Sequence, residues 1–229
     1  MAKNATKTAL ETAARTNSRP QTATKAEPEG ARAKRSAERR DAILAAALEE
    51  FSASGFAAAR LDDVARRANV AKGTIYLHFA DKETFFQELV RSQLSPVVAM
   101  LVHASHTDLP LRTLADRLIE VFAREIYGTR RKDVIRLIIT EGARFPKLAE
   151  FYYREVLSRV MNAIRGVFLR AFERGEIRHD AVARFPQLLA APGVVAIFWH
   201  GLFDRFEPLD IRALLRAHFD LVLHDGRAA

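Results

Sequence analysis

The chain has no cysteine and a single tryptophan among its 229 residues. Without cysteine there is no disulfide framework, no thiolate zinc site and no thiol nucleophile. A reducing cytoplasmic compartment fits that composition. Apolar residues make up 49% of the chain, yet no apolar run approaches the roughly 18 residues that a membrane-spanning helix needs. The expectation is a globular protein with no membrane span. Neither a Gly-x-Ser-x-Gly elbow nor a phosphate-cradling glycine loop occurs, which removes two common catalytic frameworks. His103 and His106 stand three apart with no third ligand close by, so paired surface histidines fit them better than a metal centre. We therefore expect no enzyme, no metal and no cofactor.

Positive charge is in excess, at a formal net +8. Its location is informative. Residues 1–40 carry ten Lys and Arg against four Glu, so six of the eight excess charges lie there. Before position 36 the only apolar residues besides Ala are Met1 and Leu10. Such a stretch cannot bury a core, and residues 1–36 are expected to be a disordered basic arm. Two readings of the arm stay open: it lies along DNA backbone or in a minor groove, or it is a solvated extension.

The segment from Gly55 to Lys82 holds the densest signal. Ile43, Leu44, Ala47, Leu48 and Phe51 recur at helical spacing until Gly55, as in an amphipathic helix closed by glycine. Val64, Ala65 and Ala68 make the stripe of a second, short helix, with Asp62 and Asp63 at its positive end. Asn69, tolerant of a left-handed backbone, and Val70 mark a tight turn. Ile75 and Phe79 then face inward on a third helix, leaving Lys72, Thr74, Tyr76 and His78 on other faces. Three helices so arranged form a helix-turn-helix, whose last helix enters a major groove. Lys72 and Lys82 suit phosphates, Thr74, Tyr76 and His78 offer neutral hydrogen bonds, and Gly73 permits close approach. The alternative is a three-helix core whose polar face is simply solvated.

Gly55-Phe56, Val64-Ala65, the run Lys72-Gly73-Thr74-Ile75-Tyr76-Leu77-His78-Phe79 and Lys82 resemble the N-terminal domain of tetracycline-repressor-type (TetR/AcrR) transcriptional regulators, over roughly residues 37–84. The resemblance implies an all-α fold of about nine helices: a helix-turn-helix domain over 37–84 and a ligand-binding and dimerisation domain over 85–229. It implies a bacterial, ligand-responsive repressor that binds a palindromic double-stranded DNA operator as a homodimer. Position by position it assigns DNA contacts to Lys72, Gly73, Thr74, Tyr76, His78 and Lys82. Where many members carry a hydroxyl cap this chain has Ala59-Arg60 and Ala71, so the usual capping box is missing. Arg60 either reaches a phosphate in compensation or is an ordinary exposed arginine.

Beyond Lys82 the pattern reads as helices and short turns. Asp81 suits an N-cap, Pro110 opens a helix that Gly128 ends, Pro146 restarts another, and helical spacing then persists to Gly175. Val182–Phe203 and Ile211–Leu223 are apolar enough to be the homodimer surface that the resemblance implies, or else they close the monomer's own core. For a small apolar or amphipathic effector the expected lining is Phe122, Glu141, Arg144, Tyr152, Met161, Phe168, Trp199 and His200.

Overall fold

A computed structural model describes residues 29–223, which are helical or in short connections, with no strand among them. The chain parts into two units after Ala37. Of the first unit the described part is helical, from Glu29. The expected arm is therefore corrected where it can be compared: residues 1–28 lie outside the described residues, whereas 29–36 form helix. Ala, Arg, Lys and Glu are good helix formers and need no core to be helical.

The second unit begins with the remainder of α1 (Glu29–Ala58), whose helical geometry breaks at Gly55. Next come α2 (Leu61–Arg67), α3 (Lys72–His78) and the long α4 (Lys82–Ser105). Asp81 caps α4 as expected, its carboxylate accepting from the Thr84 N–H at 2.6 Å. The body continues through α5 (Leu111–Val121), which runs into a π-helical stretch, Phe122–Tyr127, and then α6 (Arg131–Glu141). From Pro146 a single rod comprises α7 (Pro146–Tyr152), a second π stretch, Tyr153–Leu157, and α8 (Ser158–Glu173). Short α9 (Ala181–Arg184), α10 (Gln187–Leu202) and α11 (Ile211–Leu223) complete the described residues. Counting α1 as one rod despite its break at Gly55, the described residues form ten rods against the expected nine or so, short α9 among them.

Two cores hold the unit together. One joins α1 to α4 with α6 and α7, and its centre is aromatic: Phe51, Phe56, Phe85 and Phe86 are each at most 2% exposed. Phe51 and Phe86 rings lie 5.7 Å apart edge to face, and Phe79 stacks on Phe85 at 4.2 Å. Such pairs add roughly 0.5–1.5 kcal/mol beyond the area they bury. The second core packs α5, α8, α9 and α11 around Phe168 and Ala171. Phe122 packs against both. Because Phe85, Phe86 and Leu89 belong to the first core, α4 crosses the expected boundary at 84/85 without a break in packing.

Candidate DNA-reading head and effector cavity

The head is built by burial on one side of a short helix. Ile75 and Phe79 are 0% and 3% exposed, while Lys72, Gly73, Tyr76, Leu77 and His78 face outward and Thr74 is half-buried. The turn before α3 is tight: Asn69 has φ 51°, the left-handed conformation its side chain tolerates, and the Val70 N–H reaches the Ala65 carbonyl at 3.0 Å. Val70 packs on the first core. Neither α2 nor α3 receives a side-chain cap, as Arg60 and Ala71 at those positions led us to expect. Arg60 is exposed at the start of α2.

The cations differ in what they are free to do. Lys72 Nζ is 2.8 Å from Asp62 of α2 and 5.9 Å from the Tyr76 ring centroid. The hydrogen bond to Asp62 holds the Lys72 ammonium above its ordinary pKa. Lys82 turns inward: its ammonium donates to the Ala57 and Ala59 carbonyls at 2.9 and 3.1 Å and lies 4.9 Å from the Phe56 ring centroid. Burial lowers its pKa, partly offset by the Glu141 charge. In this structure Lys82 fixes the bend between α1 and α2.

Gly55 is required at that bend. Its φ of 73° with ψ of 163° is a region essentially restricted to glycine. A Cβ there would also meet Glu141 Oε1 at 3.1 Å. Phe56 packs edge to face on Phe145 at 4.8 Å, and Lys147 lies 3.8 Å from Glu83. The end of α6 and the start of α7 thus grip the head where α1 ends and α4 begins.

Inside the body, α4, α5, α8 and α10 surround an apolar cavity of about 230 Å³. Of the residues expected to line it, Phe122, Tyr152, Met161 and Phe168 do. Glu141, Arg144, Trp199 and His200 do not, and the reasons are local. Glu141 sits against Gly55, with Oε2 buried and lacking a hydrogen-bond partner. Arg144 is exposed in the turn after α6. Trp199 Nε1 donates to the Glu207 carbonyl at 2.7 Å, and His200 Nδ1 lies 3.3 Å from Asp204. The inner stripe of α4, Leu94, Val97, Val98 and Leu101, also forms cavity wall, and its three- and four-residue spacing is the sequence signal for it.

Polar groups on the cavity wall are few. Ser105 donates to the Val102 carbonyl at 2.7 Å. Tyr152 is the other, its phenol pushed up to about 12 by burial. Gly193 of α10 lets the Phe122 ring approach, since a Cβ there would lie 2.8 Å from Cζ. Among the described residues no cluster of three metal-ligating side chains occurs and no helix is long and apolar enough to cross a membrane.

Comparison with known proteins agrees with this architecture. Residues 43–89 match the family of bacterial regulatory proteins, tetR family, and residues 110–222 match the tetracyclin repressor-like C-terminal domain. The transcriptional repressor BepR of Brucella suis is 30% identical over 200 residues, covering 83% of this chain and 88% of BepR. Among solved structures, PfmR of Thermus thermophilus superposes with a TM-score of 0.64 at 22% identity, covering 81% of this chain and 99% of PfmR. The regulator FadR of Bacillus subtilis, solved with stearoyl-CoA, gives 0.62 at 19% identity, covering 80% of this chain and 96% of FadR. With a DNA-reading head, an all-helical body and a relative of this extent, the chain belongs to the TetR family of transcriptional regulators.

Proposed function

We propose that the protein is a cytoplasmic, ligand-responsive repressor that occupies a palindromic operator as a homodimer and releases it when a small apolar or amphipathic effector fills the body cavity. The observation that carries this reading is α4 itself. One unbroken helix starts four residues beyond His78 and ends on the cavity wall at Ser105. A change in cavity volume therefore acts on the element that carries the head.

Arg60, Lys72, Gly73, Thr74, Tyr76 and His78 are the DNA-facing set, and Lys82 contributes by holding the bend beside them. The two-fold partner would cover α10 and α11. Large apolar side chains there are uncovered, among them Leu188, Val195 and Leu202 of α10, with Leu221 of α11 79% exposed. Contiguous apolar surface of this kind is usual at interfaces. A two-fold dimer places its reading helices about 34 Å apart or at multiples of it, matching a palindrome.

The effector shifts operator occupancy only by its unequal affinity for the free and DNA-bound forms. Fluorescence anisotropy with palindromes flanking the gene, against random duplex, tests the whole. Preference of about 10³ or more at physiological salt is expected. Equal affinity for both duplexes, or a stable monomer in sedimentation, overturns the proposal.

A further inference from the structure

A second hollow lies between α4 and α8, and it shares Val98, Ser105 and Ala163 with the apolar cavity as common wall. Its chemistry is the opposite. Arg159, Arg170, His106 and Asn162 line it, and no Asp or Glu does. On α8 the residues Arg159, Asn162, Ala163, Gly166 and Arg170 fall at three- and four-residue steps, so they make one continuous helix face. The neighbouring face, Val160, Met161, Ile164, Val167 and Phe168, lines the apolar cavity. α8 thus turns a basic face to one hollow and an apolar face to the other, and the two hollows meet at Val98, Ser105 and Ala163.

The basic groups are held in place and only partly neutralised. Arg170 donates from Nη2 to the Ser105 carbonyl, and Gly166 leaves room beside Nη1, where a Cβ would come to 3.4 Å. A carbonyl carries no charge to balance the guanidinium. The ion-pair partner of Arg159 is Glu155 at 3.7 Å, too far for a close hydrogen-bonded pair. His106 has Nδ1 on the Val102 carbonyl at 2.8 Å, which leaves Nε2 for another partner. Arg159 lies eleven residues, about 16 Å, from Arg170 along α8, so it is Arg170 and His106, at the Ser105 end without a lining carboxylate, that suit an oxyanion, which arginine grips in a bidentate manner.

From the shared wall we infer that the effector is an amphiphile with an anionic head, a carboxylate or a phosphate ester, held by Arg170 and His106 at the Ser105 end of the cleft, and an extended apolar tail in the cavity. This rests on the ligand-responsive reading above and narrows it. From Ser105 to Leu94 the tail would run along α4 for roughly 16 Å.

Calorimetric titration of the full chain with dodecanoate, dodecyl phosphate and dodecanol tests the inference. At ~150 mM salt, where exposed charges are largely screened, at least one anion should bind about tenfold or more tighter than the alcohol, a difference of about 1.4 kcal/mol. The tighter anion names the head group. Arg170→Gln should abolish that preference and leave dodecanol affinity unchanged, and Arg170→Lys, which keeps the charge, should retain part of it. Equal binding of alcohol and acids, no binding of any of the three, or an undiminished preference in Arg170→Gln overturns the inference. Heat is read without DNA, so failure here is separate from failure of the repressor reading. Operator release by dodecanol as effective as by dodecanoate would leave ligand response standing and remove the anionic head.

Discussion

Lys72, the first residue of the recognition helix, is 2.8 Å from Asp62 in the first turn of α2. The cation best placed for a phosphate is thus engaged by a carboxylate of its own head. Both side chains are well exposed, at 60% and 43%, so the pair adds little to stability. It matters because DNA must compete for the lysine. Asp62→Asn should tighten operator binding severalfold and steepen its salt dependence by up to about 0.9 in the log-log slope. Anisotropy titrations at several salt concentrations read both, and an unchanged slope would deny Lys72 a phosphate.

Glu50 anchors α1 to the end of α2. Its carboxylate is 5% exposed, accepts from Arg67 Nε at 2.9 Å and from Ser54 at 2.8 Å, and has its pKa lowered chiefly by the Arg67 hydrogen bond. A carboxyl whose pKa is depressed on folding stabilises the fold above its unfolded value and loses that contribution as pH falls through the folded value. The melting temperature should therefore drop as pH is taken below the ordinary value of 4.5. Glu50→Gln should cost about 1–2 kcal/mol at neutral pH, because Arg67 is partly solvated. It should also flatten the acid limb of the stability curve recorded by circular dichroism.

Gly55→Ala should destabilise the protein by about 1–3 kcal/mol, the scale for a side chain forced into a glycine-only region. Combining it with Glu141→Ala should recover little of that loss, since the strain is in the backbone and not only in the 3.1 Å approach of Oε1. Full rescue in thermal melts would locate the problem in the carboxylate instead.

Tyr152 carries a hydroxyl on the apolar wall, and burial is what raises its pKa. Tyr152→Phe removes a polar group from an apolar wall and should leave the melting temperature unchanged or raise stability by roughly 1 kcal/mol. In the unaltered protein one tyrosine should ionise only near pH 12 in ultraviolet titration. A clear destabilisation of the phenylalanine variant would mean that the hydroxyl has a partner.

Leu221→Glu places a charge on the uncovered face of α11, where the leucine is 79% exposed and supports no monomer packing. The helix content and melting of the monomer should hold while sedimentation shifts from dimer to monomer and operator affinity collapses. A variant that remains dimeric would place the interface elsewhere.

The head was legible because its constraints are local. Ile75, Phe79, Asn69 and Gly55 each declare burial or backbone conformation through residue type and spacing. Lys82 was harder. Nothing in its neighbourhood along the chain announces that its ammonium folds back onto carbonyls 23 and 25 positions earlier. The cavity was half legible: large apolar residues at helical spacing do line it, but Glu141 is drawn against Gly55 of α1, and Trp199 and His200 pair with the turn after α10, which spacing does not encode. The π stretch after Tyr152 did leave a trace. Tyr152, Val156, Val160 and Ile164 step by four three times running, a drift of about 120° on an ideal helix, and the wider turn of Tyr153–Leu157 absorbs it.

The two π stretches begin at Phe122 and directly after Tyr152, both on the cavity wall. Under the effector reading proposed above, chain length is therefore part of the binding specificity. Loss of a single residue from either stretch would restore an ordinary α-helix and rotate the side chains beyond it out of register with the cavity. A descendant of this protein could exchange one effector for another by a three-nucleotide deletion, with every remaining side chain intact and the DNA-reading head untouched.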